Sequence, residues 1–544
     1  MRNRPGNQLF YGDNLDVLRR EIADGSVDLV YLDPPFNSNA TYNVLFRSPT
    51  GQSPDASIEA FEDTWHWNDS AEAAFDDVRR SGHTDAFELL DAIRRFLGEN
   101  DMMAYLAMMA VRLIELHRVL KPDGSLFLHC DPTASHYLKL LLDGVFGPQN
   151  YRNEIVWRRY SRPKGSQHAA RRYGQSTDTI FFYSKGEGYR FALDRVRAPL
   201  DEETIARMYP LEDAHGRYMS GPILRSASMG ARPKLVYEYG GFTPGAAGWR
   251  MQRGKLAALD AAGDLYWTGT GQPRRKVRPG ETQGGTIDNL WSDIDALGSQ
   301  AQERLGYPTQ KPLALLERII AASSDEGDVV LDPFCGCGTA VHAAQKLKRA
   351  WIGIDVTHLA VSLIEKRMRA AFPGVAFTVE GTPKDLASAE DLARRDKYQF
   401  QWWAVSVIDA MPYGGRRKGA DGGIDGIIYF RPDGRRTERA LVSVKGGDSV
   451  GVSMIRDLHS AMEREKAPIG IFLTRAPATA AMEREAAAVG RYHAEATGKS
   501  YARLQIITLA ELFRGRRPDI PLVDPAAAFR RAAREDSGTQ ARLL

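Results

Sequence analysis

Apolar positions along this chain gather in short blocks that stop abruptly at acids, prolines and glycines. The run Val27-Asp28-Leu29-Val30-Tyr31-Leu32 predicts a buried strand, and it breaks at Asp33-Pro34-Pro35-Phe36. Far downstream, Gly327-Asp328-Val329-Val330-Leu331 predicts a second strand. It leads into the glycine loop Asp332-Pro333-Phe334-Cys335-Gly336-Cys337-Gly338-Thr339, an alanine-rich amphipathic segment, and the strand Trp351-Ile352-Gly353-Ile354-Asp355. Strand, glycine loop, helix, strand and acid is the order by which a doubly wound α/β sheet holds an adenosine-bearing cofactor. Between the two motifs, residues 51–100 read as an acidic helical insert, and Met102, Met103, Met108 and Met109 recur near helical spacing and belong to a core.

The chemistry at the two breaks differs. A carboxylate at Asp33, a carbonyl stiffened between Pro34 and Pro35, and the aromatic face of Phe36 suit methylation of an exocyclic amine on a flipped-out base. In the second motif, glycines at 336 and 338 allow a sharp turn and close backbone approach to a ligand. Asp355, at the end of the next strand, is placed to accept from ribose hydroxyls. The loop is not GxGxxG and has no Walker lysine, so a cationic, phosphate-free nucleoside such as S-adenosylmethionine (SAM) fits better than a dinucleotide or ATP.

On these residues the sequence resembles the SAM-dependent DNA amino-methyltransferases of the permuted beta class, including modification subunits of type III restriction systems. The resemblance spans about residues 8 to 385 and includes Gly12-Asp13, the hairpin-like Lys121-Pro122-Asp123-Gly124 entering Ser125, and Gly306-Tyr307-Pro308-Thr309-Gln310-Lys311-Pro312. It implies a Rossmann-like, circularly permuted methyltransferase fold. It implies Asp33 and the Pro34 carbonyl as acceptors for the amine protons, with Pro35 bracing the turn and Phe36 stacked on the base. For the cofactor it implies Asp13, Thr309, Lys311, Asp332, Pro333, Phe334, Gly336, Gly338, Thr339 and Asp355. Phe36 replaces the tyrosine of many relatives and keeps the stacking face. Asp at position 33 favours N6 of adenine over N4 of cytosine.

Composition sets the scale around these motifs. A chain of 544 residues suggests about three modules, and 43% hydrophobic with 26% charged residues is ordinary for a globular protein. The amino terminus lacks an apolar signal core and no apolar run is long enough to span a bilayer, so a cytoplasmic location away from membranes is expected. Cys130, Cys335 and Cys337 provide neither a disulfide framework nor four zinc ligands.

The net charge of +3 is too small to argue nucleic-acid binding, so its distribution matters more. Residues 154–300 carry more bases than acids, interleaved with aromatics, in clusters containing Arg158, Arg159, Arg162, Lys164, Arg171 and Arg172, with another at Arg274-Arg275-Lys276-Val277-Arg278. This stretch stands where the family has its target-recognition region, and these side chains suit contacts to double-stranded DNA.

Residues 389–397 read as a charged helical linker. Beyond it, Asp425-Gly426 precedes the strand Ile427-Ile428-Tyr429-Phe430, and a turn leads to Ala440-Leu441-Val442-Ser443-Val444-Lys445. Residues 398–525 resemble a restriction-endonuclease-like α/β domain of the Mrr type. There an Asp on one strand and an acid-x-Lys on the next bind Mg²⁺ and activate water. Asp425 and Lys445 match that pattern, whereas Ser443 replaces the acid, which predicts a weakened or inactive nuclease that still binds DNA. Gln401 offers an amide oxygen but no charge.

The expected layout is thus a methyltransferase core at 1–153 and 301–388, a target-recognition region at 154–300, the linker, the nuclease-like domain and a tail at 526–544. The leading function is site-specific DNA adenine methylation. Alternatives are a single-chain restriction-modification enzyme that also cuts, an N4-cytosine methyltransferase, and a noncatalytic DNA-binding scaffold. A homodimer and a separate restriction or helicase subunit are the candidate protein partners.

Overall fold

A computed structural model of the chain describes residues 6–35, 66–160, 173–197, 202–279, 285, 287–298, 301–305, 307, 309–413, 423–433, 436–495, 498–521 and 535, with the backbone of the strands Thr41–Leu45 and Ser57–Glu62. Two compact units emerge, one spanning 1–191 with 289–538 and the other 192–288 with 539–544.

The larger unit is built on a nine-stranded sheet. Its spatial order is Leu290–Trp291, Tyr151–Arg158, Thr177–Ser184, Leu120–Cys130, Val27–Leu32, Val329–Asp332, Ala350–Asp355, Gln8–Tyr11 and Thr378–Glu380. Apart from Thr177–Ser184, which runs antiparallel to both neighbours, the paired strands are parallel. Val27–Leu32 is buried at every position, as a strand flanked by strands on both sides requires, with Asp28 paired to Lys121. Its neighbour Val329–Asp332 lies in the register Val330↔Leu29 and Leu331↔Val30. The two motif strands therefore end side by side, although their motifs are far apart in sequence. From this pair the chain winds in opposite directions, to Leu120–Cys130 on one side and Ala350–Asp355 on the other. The crevice beyond such a reversal is where doubly wound sheets bind ligands.

Several expectations are corrected. The 154–300 region is not one piece: Tyr151–Arg158 and Thr177–Ser184 are strands of the large sheet, because Ile155, Trp157 and the run Ile180 to Tyr183 bury against it. The separate unit begins only at 192 and contains a four-stranded antiparallel sheet, Leu265–Trp267, Pro273–Val277, Gly216–Pro222 and Leu211–Asp213, over a small cluster of Ile223, Trp249, Leu256 and Leu265. The 51–100 insert is not wholly helical, since the strand Ser57–Glu62 precedes the helices Asp69–Arg80 and Thr84–Leu97. Lys121 to Gly124 is no hairpin but part of the strand Leu120–Cys130. The 389–397 stretch is largely helical as expected, but it is packed against the domain that follows rather than a bare linker. Leu386–Arg395 is closed by a capping box between Asp385 and Ser388 and buries Ala389, Leu392 and Ala393, and Lys397–Val407 follows directly.

The methionine-rich segment forms the helix Asp101–Val119, with Met103, Met108 and Met109 buried in the core. The C-terminal domain has a five-stranded sheet ordered Met411–Pro412, Gly426–Phe430, Glu438–Lys445, Ile469–Thr474 and Leu504–Thr508, flanked by the helices Val452–Arg464 and Ala480–Ala488. Among the described residues no helix is long and apolar enough to cross a membrane.

Candidate active site

Both motifs open into one cavity of roughly 530 Å³, within the range of small-molecule sites. Asp33, Pro34 and Pro35 line it from the end of one strand. Asp332, Pro333, Phe334 and Gly336 line it from the end of the next. Phe36, Gly306, Pro308, Arg162, Lys164, Arg171 and Arg172 lie outside the described residues.

Asp33 is held by a residue expected to serve the cofactor. Lys311 Nζ forms an ion pair with Asp33 Oδ2, while Asp33 Oδ1 is buried and makes no hydrogen bond among the described residues. A buried carboxylate oxygen without a donor is costly unless a ligand brings one. Lys311 lines the cavity with its ammonium on Asp33. Thr309 and Thr339 line the same cavity.

Asp355 closes the cofactor loop from beneath. Its Oδ2 accepts from Gly336 N–H at 2.9 Å and its Oδ1 from the Thr357 N–H at 2.9 Å and hydroxyl at 2.8 Å. Burial nevertheless raises its carboxyl to about 6, with those donors opposing the shift. Asp332 is pushed well above the ordinary range by burial, although the Phe334 N–H holds it down and the fields of Asp33 and Asp355 add to the rise. Five aspartates line the cavity; with Asp33 paired to Lys311 and Asp13 to Arg112, a ligand carrying positive charge relieves the cost of ionising the rest, Asp332, Asp355 and Asp396. With the orphaned Asp33 Oδ1, they fit a cationic methyl donor such as SAM.

Both loop glycines take the left-handed turn expected of them, but only Gly336 also approaches the ligand cavity. Gly336 takes φ +50° and lines the cavity, where a Cβ would press on Tyr307. Gly338, at φ +74°, serves packing: a Cβ there would sit 2.8 Å from Ile364 Cγ1.

Asp13 lines the cavity too, but its carboxylate is engaged twice, capping the helix Asn14–Glu21 through Leu15 N–H and accepting both oxygens' worth of Arg112 Nη2 at 3.1 and 2.8 Å. Arg112 also donates to Asn14 Oδ1 and to the Met108 carbonyl, and Asn14 Nδ2 donates to the Pro333 carbonyl at 2.8 Å. This chain of contacts ties the first helix to the cofactor loop. Asn14 and Arg112 were not foreseen, although an arginine in the apolar middle of the helix Asp101–Val119 was the available signal.

Beneath the Asp33 strand lies a second buried polar chain. Tyr31 Oη meets His129 Nδ1 at 3.0 Å, and His129 Nε2 meets Asp178 Oδ2 at 3.1 Å. Because a carboxylate only accepts, His129 Nε2 is the donor to Asp178. Burial alone would raise the Asp178 carboxyl, but the hydrogen bond and field of His129, followed by the charges of Lys311 and Arg159, hold it below its usual value. Arg159, expected on DNA, pairs with Asp178 at 3.3 Å because that buried acid requires a cation, whereas Arg158 is exposed. In the smaller unit, Lys276 and Arg278 are likewise committed to Asp213, and Arg278 also to Asp264.

In the C-terminal domain the register Gly426↔Val442 sets Asp425 opposite Ser443. Asp425 Oδ2 accepts from Val444 N–H at 2.6 Å and from Ser443 Oγ at 3.5 Å, and Lys445 follows two positions on at the end of the same strand. No group of three His, Cys, Asp or Glu poised for a metal occurs among the described residues.

Comparison with known proteins agrees with this division. A DNA methylase family matches residues 27–366, and a restriction endonuclease family matches 392–511. The type II methyltransferase M.EcaI of Enterobacter cloacae is 31% identical over 366 residues, 66% of this chain and 69% of its own length. The Mod subunit of the type III restriction-modification enzyme StyLTI of Salmonella typhimurium is 27% identical over 63% of this chain and 51% of its own length. Among solved structures, the M1.HpyAVI–SAM complex aligns with 66% of this chain and 98% of its own at 15% identity and a TM-score of 0.29. The chain belongs to the DNA methylase family that acts on N6 or N4 amines, as a SAM-dependent DNA methyltransferase with an appended Mrr-type endonuclease domain.

Proposed function

We propose that this protein methylates N6 of adenine at a specific site in double-stranded DNA. The observation that carries the reading is the buried, unpartnered Oδ1 of Asp33, on the cavity shared with the cofactor loop. An adenine amine is a poor nucleophile because its lone pair is delocalised into the ring. Asp33 Oδ1 accepts one amine proton and the Pro34 carbonyl the other, drawing the nitrogen toward tetrahedral geometry. Lys311 fixes the rotamer of Asp33, and Pro35 restricts the backbone whose carbonyl must point at the base. SAM, when bound, supplies the activated methyl group. Asp332 and Asp355 face its positive charge, and Asp355 and Thr357 take its ribose. Holding base and donor in this arrangement contributes several kcal/mol to lowering the barrier.

Asp rather than Ser at position 33 supports adenine over cytosine. The test is methyl transfer from tritiated SAM to DNA by the parent and by Asp33→Ala, followed by single-molecule sequencing of the modified DNA. The variant is expected to bind SAM yet transfer no methyl group, and the modified base to be N6-methyladenine. Equal transfer by both proteins removes Asp33 from the mechanism, and N4-methylcytosine in the reads replaces adenine as the target.

The C-terminal domain binds DNA with a weakened Mg²⁺ site. Asp425 already accepts from Val444 N–H, and Ser443 offers a neutral hydroxyl where relatives have an acid. Mg²⁺-dependent cleavage of unmodified DNA that disappears in Lys445→Ala would establish a working nuclease instead.

A further inference from the structure

The cofactor cavity has a wall that the methylase family does not supply. Asp396 and Gln399 line it, and both fall within residues 392–511, the stretch matched by the endonuclease family. They stand at the start of the helix Lys397–Val407, where Asp396 Oδ1 accepts from the N–H groups of Tyr398 and Gln399 at 3.0 Å each. Gln399 is 8% exposed, and its Oε1 is buried with no hydrogen bond among the described residues. This is a second orphaned acceptor on the same cavity, distinct from Asp33 Oδ1. Val356, beside Asp355, lines the cavity while remaining 56% exposed. An apolar face near the ribose-binding carboxylate and a buried acceptor asking for a donor are what an aminopurine satisfies.

The helix is anchored where it stands. Tyr307, Cys337, Leu359, Leu363 and Met411 form one buried cluster that joins the cofactor loop to the C-terminal domain, with Trp402 packed against it. Lys366 and Asp409 add an ion pair at 2.9 Å.

We infer that Gln399 receives the adenine amine of SAM, with Val356 against the base, so that the endonuclease-like domain forms part of the methyltransferase's cofactor site. The inference rests on the methyltransferase reading above. Its consequence is reciprocal: a ligand that contacts Gln399 favours the docked position of that domain, and docking tightens the ligand by the same factor.

The probes are S-adenosylhomocysteine and S-inosylhomocysteine, titrated calorimetrically into the full-length parent and Gln399→Leu. The inosine base replaces the amine donor with a carbonyl oxygen. The parent is expected to prefer the adenosyl compound about tenfold, and Gln399→Leu to bring the ratio close to one, on the scale of a single buried hydrogen bond. A merely structural role for Gln399 would weaken both ligands and leave their ratio intact. Hydrogen exchange of the parent gives a readout free of mutation: the adenosyl compound is expected to slow exchange across 397–407 severalfold. A retained preference in Gln399→Leu, equal binding of both probes by the parent, or unchanged exchange overturns the inference and leaves the methyltransferase reading standing. A parent that binds neither probe overturns both.

Discussion

Lys311 and Asp33 stand 278 residues apart and meet in an ion pair that occupies one carboxylate oxygen and leaves the other facing the cavity. Lys311→Met frees Asp33 to rotate while keeping a side chain of similar length. Methyl transfer is expected to fall roughly 100-fold, the scale of a misplaced reacting group, with a much smaller change in SAM affinity. Single-turnover rates with tritiated SAM, set beside calorimetric binding, separate the two. A loss of binding equal to the loss of rate would assign Lys311 to the cofactor instead.

Arg112 joins Asp13, Asn14 and the Met108 carbonyl from inside an apolar helix. Arg112→Met keeps the volume but strands these acceptors. The expected cost is about 3 kcal/mol in urea unfolding, with most of SAM affinity lost, because Asn14 then no longer holds the Pro333 carbonyl in place. Unchanged stability would mean that the acceptors find water.

Gly338 caps the helix Thr339–Lys346 in the left-handed region, and a Cβ there meets Ile364. Gly338→Ala is therefore expected to destabilise the protein by about 1–2 kcal/mol, more than backbone preference alone accounts for. The companion variant Gly374→Ala, also at positive φ but with open space around its Cβ, should cost less. Equal melting temperatures for the two would remove the packing argument.

Asp355 predicts a pH dependence. Burial raises its carboxyl from the ordinary 3.8 to about 6, so the folded protein holds a proton that the unfolded chain has released. The stability from this group is full below about pH 4 and is lost as pH rises through 6. Binding of a cation runs the other way, since it favours the ionised carboxylate. SAM affinity is expected to rise between pH 5 and 7, by at most about tenfold per unit. Calorimetric titrations across that range check it, and Asp355→Asn should flatten the profile. A profile that is already flat in the parent would detach the carboxylate from the ligand's charge.

Much of this was legible in the sequence. Val27–Leu32 is a strand over the predicted residues, because a short, mainly apolar run closed by Asp-Pro-Pro leaves few other local structures. The strand and glycine loop around Asp332, and the strand ending at Asp355, also follow local pattern. The paired strands around Asp425 and Lys445 do the same in the second domain. Local pattern failed where burial decided. Residues 389–397 read as a charged helical linker, and the helix is there, yet Ala389, Leu392 and Ala393 give it one face to bury. Arg159 looks like a phosphate contact until the buried Asp178 claims it.

The chain's own order of residues determines which groups are available: an acid before two prolines, a glycine loop, an acid on the following strand. Which of them meet is a property of the tertiary structure alone. The register Leu331↔Val30 brings the two motifs to one end of the sheet, and the packing of the helix Lys397–Val407 against His358–Ala371 sets Gln399 on their cavity. Hydrophobic periodicity is a local quantity, read within a few turns. The partner of a buried polar atom is chosen only when distant segments are packed together and water is gone.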